Sequence, residues 1–498
     1  MKVNFSKFFL LGFIIITFFF AFFLRAQETL SRNPLFMVDQ GRDMMAVKDI
    51  VYGHKITLIG PYTSIQGVFQ GPLYYYLLSV PTLVFNGDPW GSVLLMLVIS
   101  LSVVVISSFW MYKLFGLKAG VITMVFFALS TQAITAATFA WNPHPMWFLI
   151  TVFILSFLEL NLGRKKFALV MWPTIAIMFH FQMAFGVFAA LSAVLYFLLF
   201  KRKLLISNTS FLGILIAGIF FIPQAVFELR HNFLMVRAVI DIFKGDSGVS
   251  ANTSYFNLIL DHVNIHLILF KSAFIKERFL NSLPEILFLI TIASAIYLKI
   301  KNKFTKKELS SLKILLTLFI LFLAFTIFHP FLIRAWFLTG FEVFYLLIFS
   351  LVFSRFVDRK IGKFLIIVLF SLMFLYSAFR INEVYRSDDL GGVSKIHGKQ
   401  EALEFIHNSA KGEDYNLLIF TPPVNTFHYD YLIWFNNNRH GWPVPEKEKS
   451  GLTYLLIEPD PGKPWTYKGW LETVIKSGKV LEEVKLPSGL IIQKRLFD

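Results

Sequence analysis

The chain has 498 residues, is 56% hydrophobic with 59 Phe, and carries a formal net charge of +16. A soluble domain is nearer about 45–50% apolar, so this surplus calls for lipid rather than an ordinary core. The basic excess falls in short loop clusters and not in one patch, which argues against nucleic acid, and the absence of Cys removes disulfides, thiolate metal sites and Cys nucleophiles together.

Each expected span is an apolar run approaching the roughly 20 residues that a bilayer requires, and the basic clusters mark the cytoplasmic side. Residues 8–24 come first, preceded by Lys2 and Lys7. Phe22, Phe23, Leu24 and Arg25 make a poor small-residue cleavage site, so this segment reads as a retained anchor with its N-terminus inside. Residues 25–90 then form an outer loop. Residues 91–112 return to Lys113 and Lys118, 119–140 run out to Trp141-Asn142-Pro143, and 146–162 return to Arg164, Lys165 and Lys166. Residues 167–179 lead out to His180 and Gln182, 184–200 return to the basic group at 201–203, and 211–227 run out to Glu228-Leu229-Arg230-His231-Asn232. Spans at 283–298, 312–328, 336–353 and 364–380 complete about eleven, with the basic groups at 299–313 and 355–363 again inside.

Two further regions are expected outside. Residues 232–280 contain an amphipathic helix, 255–270, that would lie along the interface. Residues 381–498 lose the long apolar runs; strands at 415–420, 453–457 and 490–493, with helices at 401–408 and 470–476, predict a small α/β domain. The expected fold class is therefore a polytopic α-helical membrane protein of the cytoplasmic membrane, with a transmembrane part at 1–380 and an extracytoplasmic α/β domain at 381–498.

The chemistry concentrates in the first outer loop. Asp39, Arg42 and Asp43 stand at i, i+3 and i+4 and share one face of any helix that carries them. Spacing alone is equally served by a juxtamembrane helix with solvated charges. Gly60-Pro61-Tyr62-Thr63-Ser64 and Gly71-Pro72-Leu73-Tyr74-Tyr75-Tyr76 follow; Gly-Pro breaks regular structure, and the Tyr cluster suits an interfacial helix with phenols at headgroup level. His262 and His266 have the spacing of a helical metal pair, though an ordinary amphipathic face explains them better, and His180 and His329 read as packed or interfacial residues. Glu342 falls inside a predicted helix, where a buried acid costs about 2.5–3.5 kcal/mol, and is expected to line a polar cavity. No Walker loop, Rossmann glycine pattern or Asp-x-Asp arrangement for a nucleotide sugar is present.

An Asp-x-x-Arg motif just after the first helix, followed by Gly-Pro-Tyr-Thr-Ser and Gly-Pro-Leu-Tyr-Tyr-Tyr-Leu, resembles the GT-C superfamily. More narrowly the chain is similar to the bacterial RgtA/B/C/D-like glycosyltransferases, related to protein O-mannosyltransferases and lipid A aminoarabinose transferases. Trp141-Asn142-Pro143, Glu228-Leu229-Arg230-His231-Asn232 and Tyr429-Asp430-Tyr431-Leu432 fit the same group. The resemblance implies inverting transfer of a sugar from a polyprenyl-phosphate donor to a glycan, lipid or protein acceptor on the outer membrane face. It implies Asp39 as the carboxylate that activates the acceptor and Arg42 as a donor-phosphate ligand. The following acid of many members is Gln40 here, which removes support for a second acid or a metal at that position; no cofactor is expected. Arg230, His231 and Arg334, at outer helix ends, are further candidate phosphate ligands. Asp43, Gln40, Tyr74, Tyr75, Asn142, Glu228 and Glu342 are candidate substrate-binding residues.

The other readings are a membrane polysaccharide polymerase or ligase and a lipid-linked glycan transporter or flippase. A transporter predicts helix breakers and charges deep in several spans, whereas most ionisable residues here cluster at helix ends. The topology is tested by reporter fusions: those after Lys203 and Lys307 should report the cytoplasm, and one at Gly451 the outside. An outside signal at Lys307 would break the alternation and separate the candidate loops.

Overall fold

The computed structural model describes residues 5–244, 254–274, 283–386, 392–460 and 462–498. Its N-terminal three quarters are helical: α1 (Phe5–Ser31), α2 (Val38–Val51), α3 (Leu73–Val84), α4 (Trp90–Phe115), α5 (Leu117–Leu129), α6 (Thr131–Thr135), α7 (Met146–Asn161), α8 (Ala168–Phe181), α9 (Met183–Phe200) and the single turn α10 (Arg202–Leu205). There follow α11 (Asn208–Phe220), α12 (Ile222–Arg230), α13 (Leu234–Lys244), α14 (Tyr255–Phe274), α15 (Leu283–Ile300), α16 (Lys306–Ile327), α17 (Glu342–Phe356) and α18 (Lys360–Arg386). Every segment expected to span coincides with one of these helices or with a broken pair. The 119–140 segment splits into α5 and α6, the 211–227 segment is α11 and α12 bent by 48°, and α17 begins at Glu342, six residues later than expected. Among the described residues, five helices are long and apolar enough to cross a membrane, or six if the bent pair is one span. The calls at 245–253 and 275–282, within the expected outer region, lie outside the described residues.

Burial of apolar side chains from most of these helices forms one continuous core, rich in Phe126, Phe127, Phe153, Phe157, Phe322, Phe344 and Phe353. Among the described residues, a single Lys or Arg is sunk into it. Arg25 is fully buried on α1; its Nε donates to Ser100 Oγ (2.9 Å), Nη1 to Ala128 O (2.7 Å) and Ala21 O (3.2 Å), and Nη2 to Phe127 O (2.8 Å). The last carbonyls of a helix have no partner within it. The guanidinium supplies the missing donors at the end of α5 and joins α1, α4 and α5 through one side chain.

Residues 396–498 add α19 (Ile396–Ala410), α20 (Phe427–His440) and a four-stranded sheet of β1 (Asn416–Phe420), β2 (Gly451–Ile457), β3 (Lys479–Lys485) and β4 (Ile491–Phe497). The order is β1-β2-β4-β3, with β1 and β2 parallel and the other pairs antiparallel. The core of this region is not its own alone: Phe36, just before α2, and Met44 of α2 pack with Leu403, Ile406, Tyr429, Tyr431 and Leu432. The chain leading into α2 is stitched to the chain leading into α19, through Phe36 N to Ser394 O (3.0 Å) and Ile396 N to Pro34 O (3.0 Å).

Replacing Arg25 by Leu would leave the α5 carbonyls unsatisfied among apolar side chains, at on the order of 1–3 kcal/mol per group. We expect Arg25→Leu to lower the thermal midpoint in detergent by several degrees. Arg25→Lys should recover only part, because one ammonium cannot span Ser100 and three carbonyls. An unchanged midpoint for Arg25→Leu would mean that α5 is capped by other groups.

Candidate active site

α2 starts where Gln40 Oε1 accepts from Met37 N (3.0 Å) while Gln40 Nε2 donates to Ala140 O (3.1 Å), so this amide both closes the helix end and ties it to the turn after α6. Asp39 lies in the first turn, where the helix dipole favours an anion. Arg42 is clasped between two carboxylates. Its Nη1 lies 2.9 Å from Asp39 Oδ1; its Nε and Nη2 lie 2.9 and 2.7 Å from Asp43 Oδ1. The two acids differ sharply in setting. The Asp39 side chain is 45% exposed, Arg42 is 13% exposed and Asp43 is 2% exposed. The solvated-helix reading therefore fails for Arg42 and Asp43.

Burial pushes the Asp43 carboxyl up to about 6, against the pull of Arg42. Burial alone would weaken the Arg42 charge, but Asp43 and Asp39 outweigh it and its pKa is raised. The Tyr62 ring covers the guanidinium at 4.7 Å. Tyr62 is held there by a hairpin: Gly60 N bonds Gln70 O (2.7 Å), Gln70 N bonds Pro61 O (2.9 Å), and Thr63 N bonds Val68 O (2.9 Å). The two Gly-Pro motifs are thus the feet of one hairpin. Gly71 is required at its base, since a Cβ there would sit 1.9 Å from His180 Nδ1.

The tyrosine expectation needs correction. Tyr74 and Tyr75 are buried at 0% and 6% exposure and stand beside Arg42 and Asp43. The first turn of α3 packs on α2, so these rings are covered by protein and not presented to lipid. Desolvation raises both phenols, which keeps them neutral next to the ion pair. Tyr74 and Asp43 also line a small cavity of about 10 Å³, closed by Phe36, Met44, Leu78 and Ala140.

The remaining candidates divide. The elbow between α12 and α13 packs on the Tyr62 hairpin through Val68, Phe227 and Met235, which brings Arg230 and His231 to that side of the loop. Both are exposed; His231 Nδ1 meets Phe227 O at 2.8 Å and its ring stacks on Phe227 at 4.1 Å. Glu228 is committed to structure, its two oxygens accepting from Met235 N (3.0 Å) and Val236 N (3.1 Å) at the start of α13. Buried Asn142 donates to Phe181 O (2.7 Å) and so pins the α8–α9 break. Arg334 is exposed, with its guanidinium 5.9 Å from the Trp336 ring, on a loop that Gln182 holds through Trp336 O (3.0 Å).

Glu342 does not line an open cavity. It is fully buried in the first turn of α17, accepting from Gly340 N (3.0 Å) and Ser272 Oγ (3.3 Å). His262 and His266 are likewise absorbed: His262 bridges Ile327 O (3.0 Å) and Ile333 N (3.2 Å), and His266 meets Thr326 Oγ1 (2.7 Å). Among the described residues no three His, Cys, Asp or Glu side chains converge as a metal site.

No family model matches the chain, and no curated protein matches its sequence. Among solved structures, ArnT from Cupriavidus metallidurans bound to undecaprenyl phosphate aligns with a TM-score of 0.62 at 13% identity, over 98% of this chain and 98% of that chain. ArnT in the apo state gives a TM-score of 0.60 at 13% identity over the same shares. The fold is the GT-C fold. The Asp39–Arg42–Asp43 cluster, the Tyr62 hairpin and the α12–α13 elbow form one neighbourhood around the loop between α1 and α4. Sequence reasoning passed over two of its members: Tyr62, quoted only as part of a turn motif, and Gly41, whose role depends on a distant segment.

Because Asp43 titrates near 6 when folded and near 3.8 otherwise, lowering the pH from 7 protonates it in the folded protein first. Its raised value means that ionisation costs stability, and this cost is relieved toward acid; what is lost through pH 6 is the Arg42–Asp43 ion pair. We expect affinity for a phosphate-bearing lipid to change across pH 5–7 in the wild type and to be flat over that window in Asp43→Asn, measured by ligand binding in detergent. The same slope in both proteins would assign the titration to another group.

Proposed function

We propose that this protein is an inverting glycosyltransferase that moves a sugar from a polyprenyl-phosphate donor to an acceptor at the outer face of the cytoplasmic membrane. The observation that carries this reading is an exposed carboxylate and a cation sharing one helix face, with the cation anchored from behind by a buried acid. The fold adds support, since ArnT, which shares it, was solved with undecaprenyl phosphate bound.

The difference in exposure assigns the roles. Asp43 is the fixed counter-ion of Arg42 and cannot meet an incoming acceptor. Asp39 can. A donor phosphate approaching from the open side would take over Arg42 Nη1 from Asp39, while Asp43 keeps Nε and Nη2. Donor binding would thereby release Asp39 to act as a base. The acceptor hydroxyl then loses its proton to Asp39, its oxygen bonds the anomeric carbon from the face opposite the phosphate, and the carbon–oxygen bond to phosphate breaks. The charge that grows on the departing polyprenyl phosphate is met by Arg42, with Arg230, His231 and Arg334 as further cations at the outer helix ends.

The test is release of free polyprenyl phosphate from a panel of polyprenyl-phosphate sugars by the purified protein. Asp39→Asn should cut turnover by about 10²–10⁴-fold with donor binding largely kept, because the amide cannot readily take the acceptor proton. Arg42→Ala should weaken donor use at sub-saturating concentration, whereas exposed substitutions usually stay within about 0.5 kcal/mol of neutral. Full activity of both variants would reduce the first loop to a charged interfacial helix and remove the main support for glycosyl transfer.

A further inference from the structure

The face of α2 opposite the bundle rests on the C-terminal region at backbone distance. A Cβ at Gly41 would lie 2.2 Å from His428 N and 2.3 Å from its Cα, so glycine is the residue that lets α2 and the first turn of α20 meet this closely. Gly41 directly precedes Arg42. Beneath the contact lies a buried cluster that the transfer reading does not use. Glu458, at the end of β2, receives the Tyr429 hydroxyl on Oε2 (2.9 Å), and the same oxygen lies 3.4 Å from Lys399 Nζ and 3.5 Å from His428 Nε2. The side chains of Lys399, His428 and Glu458 are 0%, 2% and 6% exposed. Burial alone would raise the Glu458 carboxyl, but His428, Lys399 and Tyr429 hold it below its ordinary range, while burial lowers His428. The cluster thus gathers a lysine, a glutamate and an imidazole around one buried carboxylate oxygen.

Its partners explain its position. Lys399 Nζ also donates to Val393 O, one residue before Ser394. Ser394 and Ile396 carry the backbone bonds to Phe36 and Pro34, and Leu35 pairs antiparallel with Lys395. His397 N adds a bond to Asn33 Oδ1 (3.0 Å). The Lys399–Glu458 pair thus braces both supports of α2: the 33–36 segment that enters it, and the α20 turn against Gly41. A pair buried in this way is weak evidence for stability, because removing one partner leaves an uncompensated charge while apolar replacement of both is often neutral.

We propose that Lys399 and Glu458 are positioning residues for the active-site helix, so that the C-terminal region sets the placement of Asp39 and Arg42. The inference rests on the glycosyl-transfer reading for its kinetic arm, and its cross-linking arm does not.

The chain has no cysteine, which makes introduced pairs unambiguous. The first arm places Cys at Leu35 and Lys395 and follows disulfide formation with a mild oxidant, with Glu458 intact, with Glu458→Gln, and with Glu404→Gln on the exposed face of α19 as control. Glu458→Gln should slow the cross-link several-fold and Glu404→Gln should leave it unchanged. The second arm measures kcat and KM for a polyprenyl-phosphate sugar. A displacement of about 1 Å can cost on the order of 10²-fold, so Glu458→Gln and Lys399→Met should lose about 10–100-fold in kcat with donor KM within about threefold. Gly41→Ala should show the same split while leaving the C-terminal core intact, and it stands in if the cluster variants fail to fold. Wild-type cross-linking and wild-type kcat in a folded Glu458→Gln protein would overturn the proposal. Slowed cross-linking, with no transfer by the wild type from any donor, would uphold the positioning and sink the glycosyl-transfer reading instead.

Discussion

The contact between Arg42 and Asp43 is made where little of either charge meets water, and the arrangement around α2 follows from that constraint. An isolated acid at the depth of Asp43 would not stay ionised, and an isolated guanidinium at Arg42 would be paired elsewhere or expelled. Together they hold one another, and Tyr62, Tyr74 and Tyr75 close around the pair without competing for its charge. The consequence is asymmetry. One edge of the guanidinium is permanently occupied, and the other points toward an acid that solvent can reach. A cation fixed on one side and exchangeable on the other is suited to bind phosphate without losing its own position.

Holding that helix in place is the work of backbone contacts more than of side-chain packing. Gly71 lets His180 approach the base of the Tyr62 hairpin, and Gly41 lets α20 approach α2. A Cβ at Gly71 would collide with the His180 ring and one at Gly41 with the backbone of α20, so the loop between α1 and α4 is wedged between the helical bundle and the C-terminal region. Polar residues at helix ends complete the framework chiefly by bonding backbone: Gln40 to Ala140, Asn142 to Phe181, Glu228 to the start of α13, Glu342 to Gly340. Where water is scarce, an unpaired backbone group is costly, so the loops that break the helices recruit side chains to satisfy it.

The C-terminal region is accordingly less separate than its composition indicates. Its sheet is a local affair, with β1 and β2 parallel and β4 and β3 completing it, but its core takes in Phe36 and Met44 from the far end of the chain. A boundary drawn at residue 381 by loss of apolar runs divides the chain by solvent. It does not divide it by packing.

The sequence by itself determined the helices of the bundle, because a backbone in lipid must satisfy its own hydrogen bonds and long apolar runs leave it one way to do so. It also placed Asp39, Arg42 and Asp43 on one face of α2, since the helical repeat requires it. Three of the four strands were readable from their apolar alternation; β3, Lys-Val-Leu-Glu-Glu-Val-Lys, was hidden by charge on an exposed edge, and α20 by the polar run Asn436-Asn437-Asn438-Arg439. What only the tertiary structure decided is which acid is buried, which tyrosines turn inward, and which polar residues are spent on backbone bonds. Arg25 shows the reason most simply. In the sequence it is a basic residue after an apolar run, and its burial follows only once α4 and α5 bring a hydroxyl and two carbonyls to meet it. Periodicity encodes a residue's own face, whereas burial and partnership belong to segments about 100 residues away.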